Sequence, residues 1–380
     1  MTTATVMQTT HQLLLSDARH MTGIKEESID LVVTSPPYPM IRMWDGLFSS
    51  LSFDAKEALE CADGNAAFES MHRELDKVWR ECYRVLKTGS FACINIGDAV
   101  RTLGGRFRLY SNHSRIIGSF LSLGFDCLPV ILWRKQTNAP NKFMGSGMLP
   151  CGAYVTLEHE YILIFRKGCK KEFNHDAEKA ARIKSSFFWE ERNAWFSDVW
   201  DFKGISQQLD NSDLRDRSAA FPLELPYRLI SMYSLYEDLV LDPFLGTGTT
   251  MLASMACGRN SIGIEIDGAF APAVLARAAS FLPFANERLS SRIAAHADFV
   301  AGYARSKGPV KYVNGPHGFP VVTKQETGLQ LYRIKEIAAD GTLSMRASYE
   351  PVGKIGDGPS LERQRALLRN AGSRQCTLPL

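Results

Sequence analysis

The chain alternates short apolar runs with longer amphipathic stretches through its first 280 residues or so. Leu13-Leu14-Leu15, Ile29 to Thr34 and Ser90 to Ile96 are compact aliphatic or β-branched runs, which predict buried strands. From Phe68 to Leu86 the apolar residues recur at helical spacing, and Thr88-Gly89 ends that pattern. Strands that alternate with helices in this way predict an α/β fold with a parallel sheet.

The alternation continues further along the chain. It predicts a helix over Ser114 to Leu123, and another that begins near Pro226 and has the apolar face Leu229, Ile230, Met232 and Leu235. It also predicts four more strands: Phe125 to Trp133, Tyr161 to Phe165, Asp238 to Asp242 and Ser261 to Ile264. From Met40 to Asn65 the pattern breaks down, and we interpret this stretch as a mobile loop over a candidate site that follows the second strand. If the first two strands pair in parallel, Asp17 and Ser35 lie at neighbouring carboxyl ends, where open α/β sheets bind ligands.

Composition is that of a soluble globular protein of 380 residues. No apolar run approaches the length of a membrane span, and Met1 to His11 lacks the pattern of a secretion signal, so we expect a cytoplasmic protein without a membrane segment. The eight cysteines include no C-x-x-C pair, which predicts neither a zinc site nor a disulfide scaffold. No metal is expected, and the oligomeric state stays open.

Positive charge is concentrated in two parts of the chain. Residues 281–380 hold 14 Lys and Arg against 8 Asp and Glu, whereas the whole chain has a net charge of +3. Residues 134–193 hold 11 Lys and Arg against 7 Asp and Glu, interleaved with aromatic residues. Basic residues among aromatic ones suit nucleic acid, although a solvated basic surface or an aromatic-anchored loop would give the same pattern.

The sequence Thr34-Ser35-Pro36-Pro37-Tyr38-Pro39 follows the second strand. Two successive prolines stiffen the turn and remove two backbone donors. The Ser35 hydroxyl and the Pro36 carbonyl could bind amino-group hydrogens, and the Tyr38 ring could stack on a planar base. Taken alone, the pattern could equally be a proline-rich surface turn.

A second candidate site begins with a strand that ends at Asp242. It continues through Pro243-Phe244-Leu245-Gly246-Thr247-Gly248-Thr249 into a predicted helix start. Glycines allow a ligand to approach the backbone, and a helix start presents free N–H groups. Glu265 ends the next strand, about 20 residues later, where an acidic side chain suits a ribose diol. A plain tight turn is the alternative, and Asp17 could likewise be only a helix cap.

Three other patterns are read as structural. Pro150-Cys151 is interpreted as a loop cysteine and Asp98 as the cap of a turn. His159-Glu160 begins like a zinc-protease motif, but position 163 is Leu, so a metal site is not predicted.

Together, these residues resemble the S-adenosylmethionine-dependent DNA amino-methyltransferases, in the permuted beta group whose catalytic motif precedes the cofactor motif. Thr34 to Tyr38 is similar to the catalytic motif, and Asp242 to Thr250 to the cofactor loop. The resemblance covers about Leu13 to Ala278. It implies a doubly wound, circularly permuted, seven-stranded and mostly parallel sheet with one antiparallel strand.

The resemblance also implies roles for individual residues. Those expected to be catalytic are Ser35, Pro36, Pro37 and Tyr38. Those expected to bind S-adenosylmethionine are Asp17, Phe221, Pro222, Asp242, Pro243, Phe244, Gly246, Thr247, Gly248, Thr249 and Glu265.

An opening Ser in the catalytic motif is similar to the cytosine-N4 enzymes, whereas Asp-Pro-Pro-Tyr is the usual adenine-N6 form. The expected activity is therefore methylation of the N4 amine of a cytosine flipped out of duplex DNA and stacked on Tyr38. Adenine-N6 methylation is the alternative. A protein amide-N methyltransferase and a catalytically silent DNA-binding protein are the rival classes.

The expected layout is a catalytic domain over 1–280, in which 134–220 contains a DNA-recognition insertion, and a small basic extension over 281–380. Target recognition is expected to be shared between these two basic parts. Val310 to Val313 and Gly328 to Ile334 are predicted to be short strands and Ser360 to Asn370 a basic helix. The expected partners are double-stranded DNA and a cognate restriction endonuclease, at the nucleoid.

Overall fold

A computed structural model describes residues 7–135, 144–204 and 221–355. The predicted basic helix at 360–370 lies outside the described residues. In chain order the strands are β1 (Gln8–Leu15), β2 (Ile29–Thr34), β3 (Leu86–Ile96), β4 (Ala99–Leu103), β5 (Arg106–Tyr110), β6 (Phe125–Cys127), β7 (Ile131–Arg134), β8 (Met144–Gly145), β9 (Ala153–Tyr154), β10 (His159–Lys167), β11 (Val199–Asp201), β12 (Leu239–Asp242), β13 (Asn260–Glu265), β14 (Tyr312–Val313), β15 (Pro320–Val321), β16 (Tyr332–Ala339) and β17 (Ser344–Pro351). The α-helices are α1 (Asp45–Leu51), α2 (Phe53–Glu60), α3 (Gly64–Val85), α4 (Asn112–Ser122), α5 (Asp176–Lys184), α6 (Trp189–Trp195), α7 (Glu224–Tyr233), α8 (Thr249–Cys257), α9 (Ala271–Ala279) and α10 (Leu282–Lys307).

One large sheet organises the molecule. Among the described residues it contains eleven strands, in the order β11-β7-β10-β3-β2-β12-β13-β1-β17-β16, with β6 paired to β10. The five strands from β3 to β1 run parallel, and β10 runs antiparallel to both β3 and β7. The strands from β7 to β1 are therefore the predicted seven-stranded, mostly parallel sheet with one antiparallel strand.

Both faces of this sheet are covered by helices. Along β2, Leu31 and Val33 face one core while Val32 faces the other, because successive side chains of a strand point to opposite faces. Ile29 packs in the same core as Val32, beyond a register shift between Ile29 and Leu31. Helices α3 and α4 cover the Val32 face, and α7, α8 and α9 cover the Leu31 face. This arrangement confirms the doubly wound α/β class and places every parallel strand in a buried layer.

The expected pairing of the first two strands is wrong. β2 lies between β3 and β12, while β1 lies between β13 and β17. Asp17 and Ser35 still follow the carboxyl ends of parallel strands, but β12 and β13 separate those strands. The sheet edge between Asp17 and Ser35 is consequently wider than the sequence suggested. The loop after β12 lies between these two residues along that edge.

Met40 to Asn65 is largely helical and is not the irregular loop that the sequence predicts. It contains a short 3-10 turn, Arg42–Trp44, followed by α1 and α2. The Ser52 side chain caps α2 by accepting a hydrogen bond from the Ala55 N–H at 3.2 Å. The buried face of α2 consists of Ala55 and Ala58, and such small residues make a weak apolar pattern.

The last described part of the chain extends the same sheet. β17 pairs antiparallel with β1, and β16 pairs with β17. Of the two predicted strands, Val310 to Val313 is represented by β14, and Gly328 to Ile334 overlaps the start of β16. A small core joins this part to the middle of the chain and contains Phe188, Ile293, Phe319, Val321, Leu329, Leu331 and Ile355.

Among the described residues, no single helix has the length and apolar character needed to cross a membrane. Two consecutive helical segments, Gly268–Ala279 and Leu282–Lys307, bent by 54° relative to each other, together have the length and apolar composition of a span. Length and composition alone support that comparison.

Candidate active site

A cavity of about 510 Å³ opens at the carboxyl ends of the parallel strands. It brings together most of the residues selected from the sequence: Asp17, Ser35, Pro36, Pro37, Phe221, Asp242, Pro243, Phe244, Gly246, Thr247, Thr249 and Glu265. Pro222 and Gly248 are buried beside lining residues, whereas Tyr38 belongs to a hydrogen-bond network behind the turn. The candidate catalytic turn, Thr34 to Tyr38, and the glycine loop, Asp242 to Thr249, thus share one cavity, although more than 200 residues separate them in the sequence.

The candidate catalytic turn leaves β2 at Thr34 and places Ser35 at the cavity wall. Pro36 and Pro37 are buried, while Ser35 and Tyr38 are partly exposed. Met40, just beyond the turn, has a φ of +69° and is buried, a backbone conformation that non-glycine residues rarely adopt. Its N–H faces the Met71 sulfur at 3.4 Å, so packing against α3 holds the chain as it leaves the turn.

The Tyr38 hydroxyl is the centre of a polar network. It donates to Glu160 Oε2 at 2.9 Å and accepts from the Ser35 hydroxyl at 3.1 Å and from Asn95 Nδ2 at 2.9 Å. Burial, together with the negative charge of Glu160, holds the pKa of Tyr38 well above its ordinary value. The phenol is therefore protonated at neutral pH and remains a hydrogen-bond donor.

The end of β3 packs closely beneath this network. A Cβ atom at Gly97 would lie 3.0 Å from the Tyr38 ring and 3.3 Å from Glu160 Cγ. Real Cβ contacts are rarely that short, so the absence of a side chain at Gly97 allows the ring to rest against the strand.

The loop after β12 turns sharply into α8. Gly246 and Gly248 have φ values of +52° and +85°, and glycine adopts this left-handed region at little cost. No atom lies within 4 Å of a Cβ placed at Gly246, so the loop backbone is open to the cavity there. The free N–H groups at the start of α8 favour a polar or anionic group nearby.

Glu265 braces this loop from the end of β13. Its carboxylate accepts the Gly246 N–H at 2.8 Å and the Asp267 N–H at 2.9 Å. Burial raises the pKa of Glu265, while these backbone hydrogen bonds act in the opposite direction. Each carboxylate oxygen can accept more than one hydrogen bond, so Glu265 can brace the loop and also accept from a ligand.

Asp17 is engaged by Arg19. The guanidinium donates to both carboxylate oxygens, with the shortest contact 2.7 Å, and the Arg19 N–H donates at 2.9 Å. Burial alone would raise the pKa of Asp17, but Arg19 outweighs it and lowers that pKa. Arg19 also binds Glu74 of α3 at 2.5 Å, so Asp17 is part of the cavity wall and not of a helix cap.

Sequence reasoning missed two groups of residues at this site. The first is the cavity wall supplied by α1 and the 3-10 turn before it, which includes Trp44, Leu47 and Phe48. The second is the network of Asn95 and Glu160 with Lys135 behind Tyr38. The only sequence signal for the second was the His159-Glu160 pair, which resembled an incomplete metal motif.

Asp98 accepts from the His113 N–H at 3.1 Å and from its ring, which ties the start of α4 to the end of β3.

Comparison with known proteins identifies the architecture around this cavity. The family model for N6/N4 methyltransferases, described as DNA methylase, matches residues 29–275. The chain belongs to this family. It is therefore a methyltransferase that acts on DNA with S-adenosylmethionine as its methyl donor.

Individual relatives are similar over most of the chain. Type II methyltransferase M.MthZI of Methanothermobacter thermautotrophicus is 51% identical over 328 residues, which cover 86% of this chain and 91% of the relative. Type II methyltransferase M.MjaI of Methanocaldococcus jannaschii is 48% identical over 277 residues, covering 70% and 90%. Among solved structures, TTHA0409 of Thermus thermophilus complexed with S-adenosyl-L-methionine matches with a TM-score of 0.54 and 33% identity, covering 72% of this chain and 96% of that one.

Proposed function

We propose that this DNA methyltransferase modifies the N4 amine of cytosine in duplex DNA. The carrying observation is that Ser35, Pro36 and Pro37 line the same cavity as Glu265 and the loop from Asp242 to Thr249. A methyl donor and an acceptor amine could therefore be bound side by side. Aligning two substrates in this way can supply much of the reduction in a reaction barrier.

The cavity suits the cofactor in volume and in chemistry. Its volume of about 510 Å³ falls within the range of sites for small ligands. Acidic groups at Glu265 and Asp17 can accept hydrogen bonds from hydroxyl and amino groups, and the open backbone at Gly246 permits close contact. Phe221 adds an apolar ring to the cavity lining. When bound, S-adenosylmethionine supplies an electrophilic methyl group on a sulfonium.

Ser35 and Pro36 are proposed to hold the acceptor amine. Its lone pair is conjugated with the base, so the amine is a poor nucleophile until its hydrogens are bound and the lone pair is directed away from the ring. The Ser35 hydroxyl and the Pro36 carbonyl can accept those hydrogens. We propose that the base reaches them by flipping out of the duplex and stacking on Tyr38.

Serine at position 35 supports cytosine as the target base. This choice of target base rests on the resemblance of Ser-Pro-Pro-Tyr to the cytosine-N4 form of the motif. The family includes both N4 and N6 enzymes, and adenine N6 is the alternative target.

The middle and last described parts of the chain together form the proposed DNA-recognition unit. The Phe188 ring stacks on His296 with centroids 3.8 Å apart, and Arg292 forms a two-contact ion pair with Glu191 at 2.6 and 2.8 Å. These contacts join the proposed insertion at 134–220 to the proposed extension at 281–380. A shared basic unit of this kind could pair with DNA phosphates.

The Type II names of the two relatives support a restriction–modification setting. We propose a cognate restriction endonuclease as the functional partner and the nucleoid as the place of action.

The test is transfer of a labelled methyl group to duplex DNA, followed by digestion to nucleosides. N4-methylcytosine is the expected product, and N6-methyladenine would establish the alternative. Label on protein alone would indicate an amide methyltransferase, and no label would indicate a silent DNA-binding protein.

The Ser35→Ala variant tests the catalytic turn. Because Ser35 supplies an amine contact and no part of the glycine loop, turnover should fall by about 10- to 100-fold, the loss of one strong hydrogen bond. Cofactor affinity, measured by calorimetry, should stay within about twofold. Unchanged turnover would contradict the role of Ser35.

A further inference from the structure

We infer that Glu160 is a positioning residue for methyl transfer, which sets the hydrogen-bond direction of Tyr38 and Ser35. The inference deepens the proposed function and rests on its assignment of Ser35 to the acceptor amine. Glu160 does not line the cavity. It acts through the hydroxyl groups of Tyr38 and Ser35, which connect it to the cavity wall.

Glu160 is held rigidly behind the catalytic turn. It lies on β10, paired with Trp133 of β7, and its side chain is only 10% exposed. Oε2 accepts from the Tyr38 hydroxyl at 2.9 Å and from Asn95 Nδ2 at 2.6 Å, while Oε1 forms an ion pair with Lys135. A buried carboxylate is costly unless it is paired and hydrogen-bonded, and all three partners meet that need.

A carboxylate can only accept hydrogen bonds, whereas hydroxyl groups can both donate and accept. Glu160 therefore requires Tyr38 to donate toward it. The Tyr38 oxygen then accepts from Ser35. Apart from a long 3.5 Å contact from Asn95 Nδ2, the lone pairs of Ser35 stay available for the hydrogens of the acceptor amine.

Asn95 reinforces this direction. Its Nδ2 donates to both Glu160 and Tyr38, and the residue is 1% exposed. The Asn95 Oδ1 atom is buried and lacks a hydrogen-bond partner within the described residues. Turning the amide would place that oxygen against the Glu160 carboxylate, so the carboxylate also fixes the orientation of Asn95.

Without the carboxylate, Tyr38 could donate back to Ser35. The Ser35 hydroxyl would then have its own proton free to point at the amine, where it would engage the nitrogen lone pair needed for transfer. Glu160 thus favours the hydroxyl arrangement in which Ser35 accepts.

The experiment is a double-mutant cycle between Glu160→Gln and Tyr38→Phe, measured by single-turnover and steady-state methyl transfer to duplex DNA. Glu160→Gln keeps the shape but replaces one acceptor oxygen with a donor group. It should lower kcat by about 10- to 100-fold, with KM for DNA and cofactor affinity within about twofold. Glu57→Gln, an exposed carboxylate of α2 outside both proposed recognition segments, is the control and should retain wild-type kcat.

Because Glu160 acts through the Tyr38 hydroxyl, adding Glu160→Gln to Tyr38→Phe should cause little further loss in kcat. Two outcomes would overturn this inference and leave the proposed function intact. One is that the losses in kcat of the two variants add in the double variant, and the other is that Glu160→Gln transfers methyl groups at the wild-type rate. A wild-type protein that transfers no methyl group to DNA would instead overturn the proposed function, together with the inference that depends on it.

Discussion

One carboxylate, that of Asp242, connects the two halves of the candidate active site. Oδ1 accepts from the Thr34 hydroxyl at 2.5 Å and from the Phe244 N–H at 3.0 Å, and Oδ2 accepts from the Thr250 hydroxyl at 2.6 Å. Thr34 directly precedes Ser35, whereas Phe244 and Thr250 belong to the glycine loop and α8. A change in the protonation of Asp242 would therefore alter hydrogen bonds on both sides of the cavity.

Asp242 should give the protein a measurable pH dependence of stability. Burial raises its pKa from 3.8 to about 6, against the opposing effect of its hydrogen bonds. Between these values the native state holds a proton that the unfolded state has released. The contribution of Asp242 to the free energy of unfolding therefore falls as the pH rises, by about 3 kcal/mol in total.

The Asp242→Asn variant removes this titration. Relative to the variant, the wild type should become less stable from about pH 4 to about pH 7, as measured by urea unfolding at several pH values. Exposed Glu57→Gln serves as the control and should give a difference that is nearly independent of pH. The same pH-independent difference for Asp242→Asn would mean that Asp242 titrates alike in both states.

Among the elements, those with strong local patterns could be predicted from the sequence. The β-branched run of β2 was located without error at both ends, and β12 and β13 were located to within one residue, because buried parallel strands are continuous apolar runs. Helices α1 and α2 were missed because their small and polar residues hide the buried face. The β4–β5 hairpin was also missed, although Gly104-Gly105 stands at its turn.

Contacts between distant parts of the chain could not be predicted in this way. The residues of β1 from His11 to Leu15 each pair with one about 250 positions later in β13, and no local pattern specifies such a partner. Glu160 shows the same difficulty at the site, because its role depends on the antiparallel placement of β10 beside β3. The candidate residues on the two loops could be selected from their own sequences, but the groups that orient them could not.

The turn into α8 should tolerate substitution poorly at Gly248. Its φ is +85°, and a Cβ there would lie 3.0 Å from Val274 Cγ1. Gly248→Ala should therefore destabilise the protein by about 1 to 2 kcal/mol, the cost of a left-handed alanine, and weaken cofactor binding. Calorimetry gives both quantities.

Gly118→Ala is the control for this substitution. Gly118 lies within α4, and no atom is within 4 Å of a Cβ placed there. Alanine should stabilise that helix by about 0.5 to 1 kcal/mol without affecting the cofactor. If Gly248→Ala behaves like Gly118→Ala, the left-handed turn is not required.

For the molecule as a whole, the hairpin of β16 and β17 joins the end of the described chain to its beginning. Ile334, Met345 and Tyr349 belong to the same core as Leu13 and Met255. The Tyr349 hydroxyl contacts Thr9 Oγ1 at 2.9 Å and donates to the Met255 carbonyl at 2.9 Å. The catalytic layer and this last segment therefore share one sheet and one core.

A chain that ends at Lys307 should consequently be less stable and less soluble than the full-length protein. It would lose β17, the antiparallel partner of β1, and the β1 edge exposed in this way would promote association. The Tyr349→Phe variant of the 380-residue chain removes only the hydrogen bonds of the Tyr349 hydroxyl. It should lower the free energy of unfolding by about 1 to 3 kcal/mol, because it leaves the buried Met255 carbonyl without its donor. Val313→Ala, at a site that is 60% exposed, should change stability by less than about 0.5 kcal/mol. If the shortened chain unfolds at the wild-type midpoint and binds the cofactor normally, residues beyond 307 are a separate extension, and the core they share with β1 contributes little to the catalytic domain.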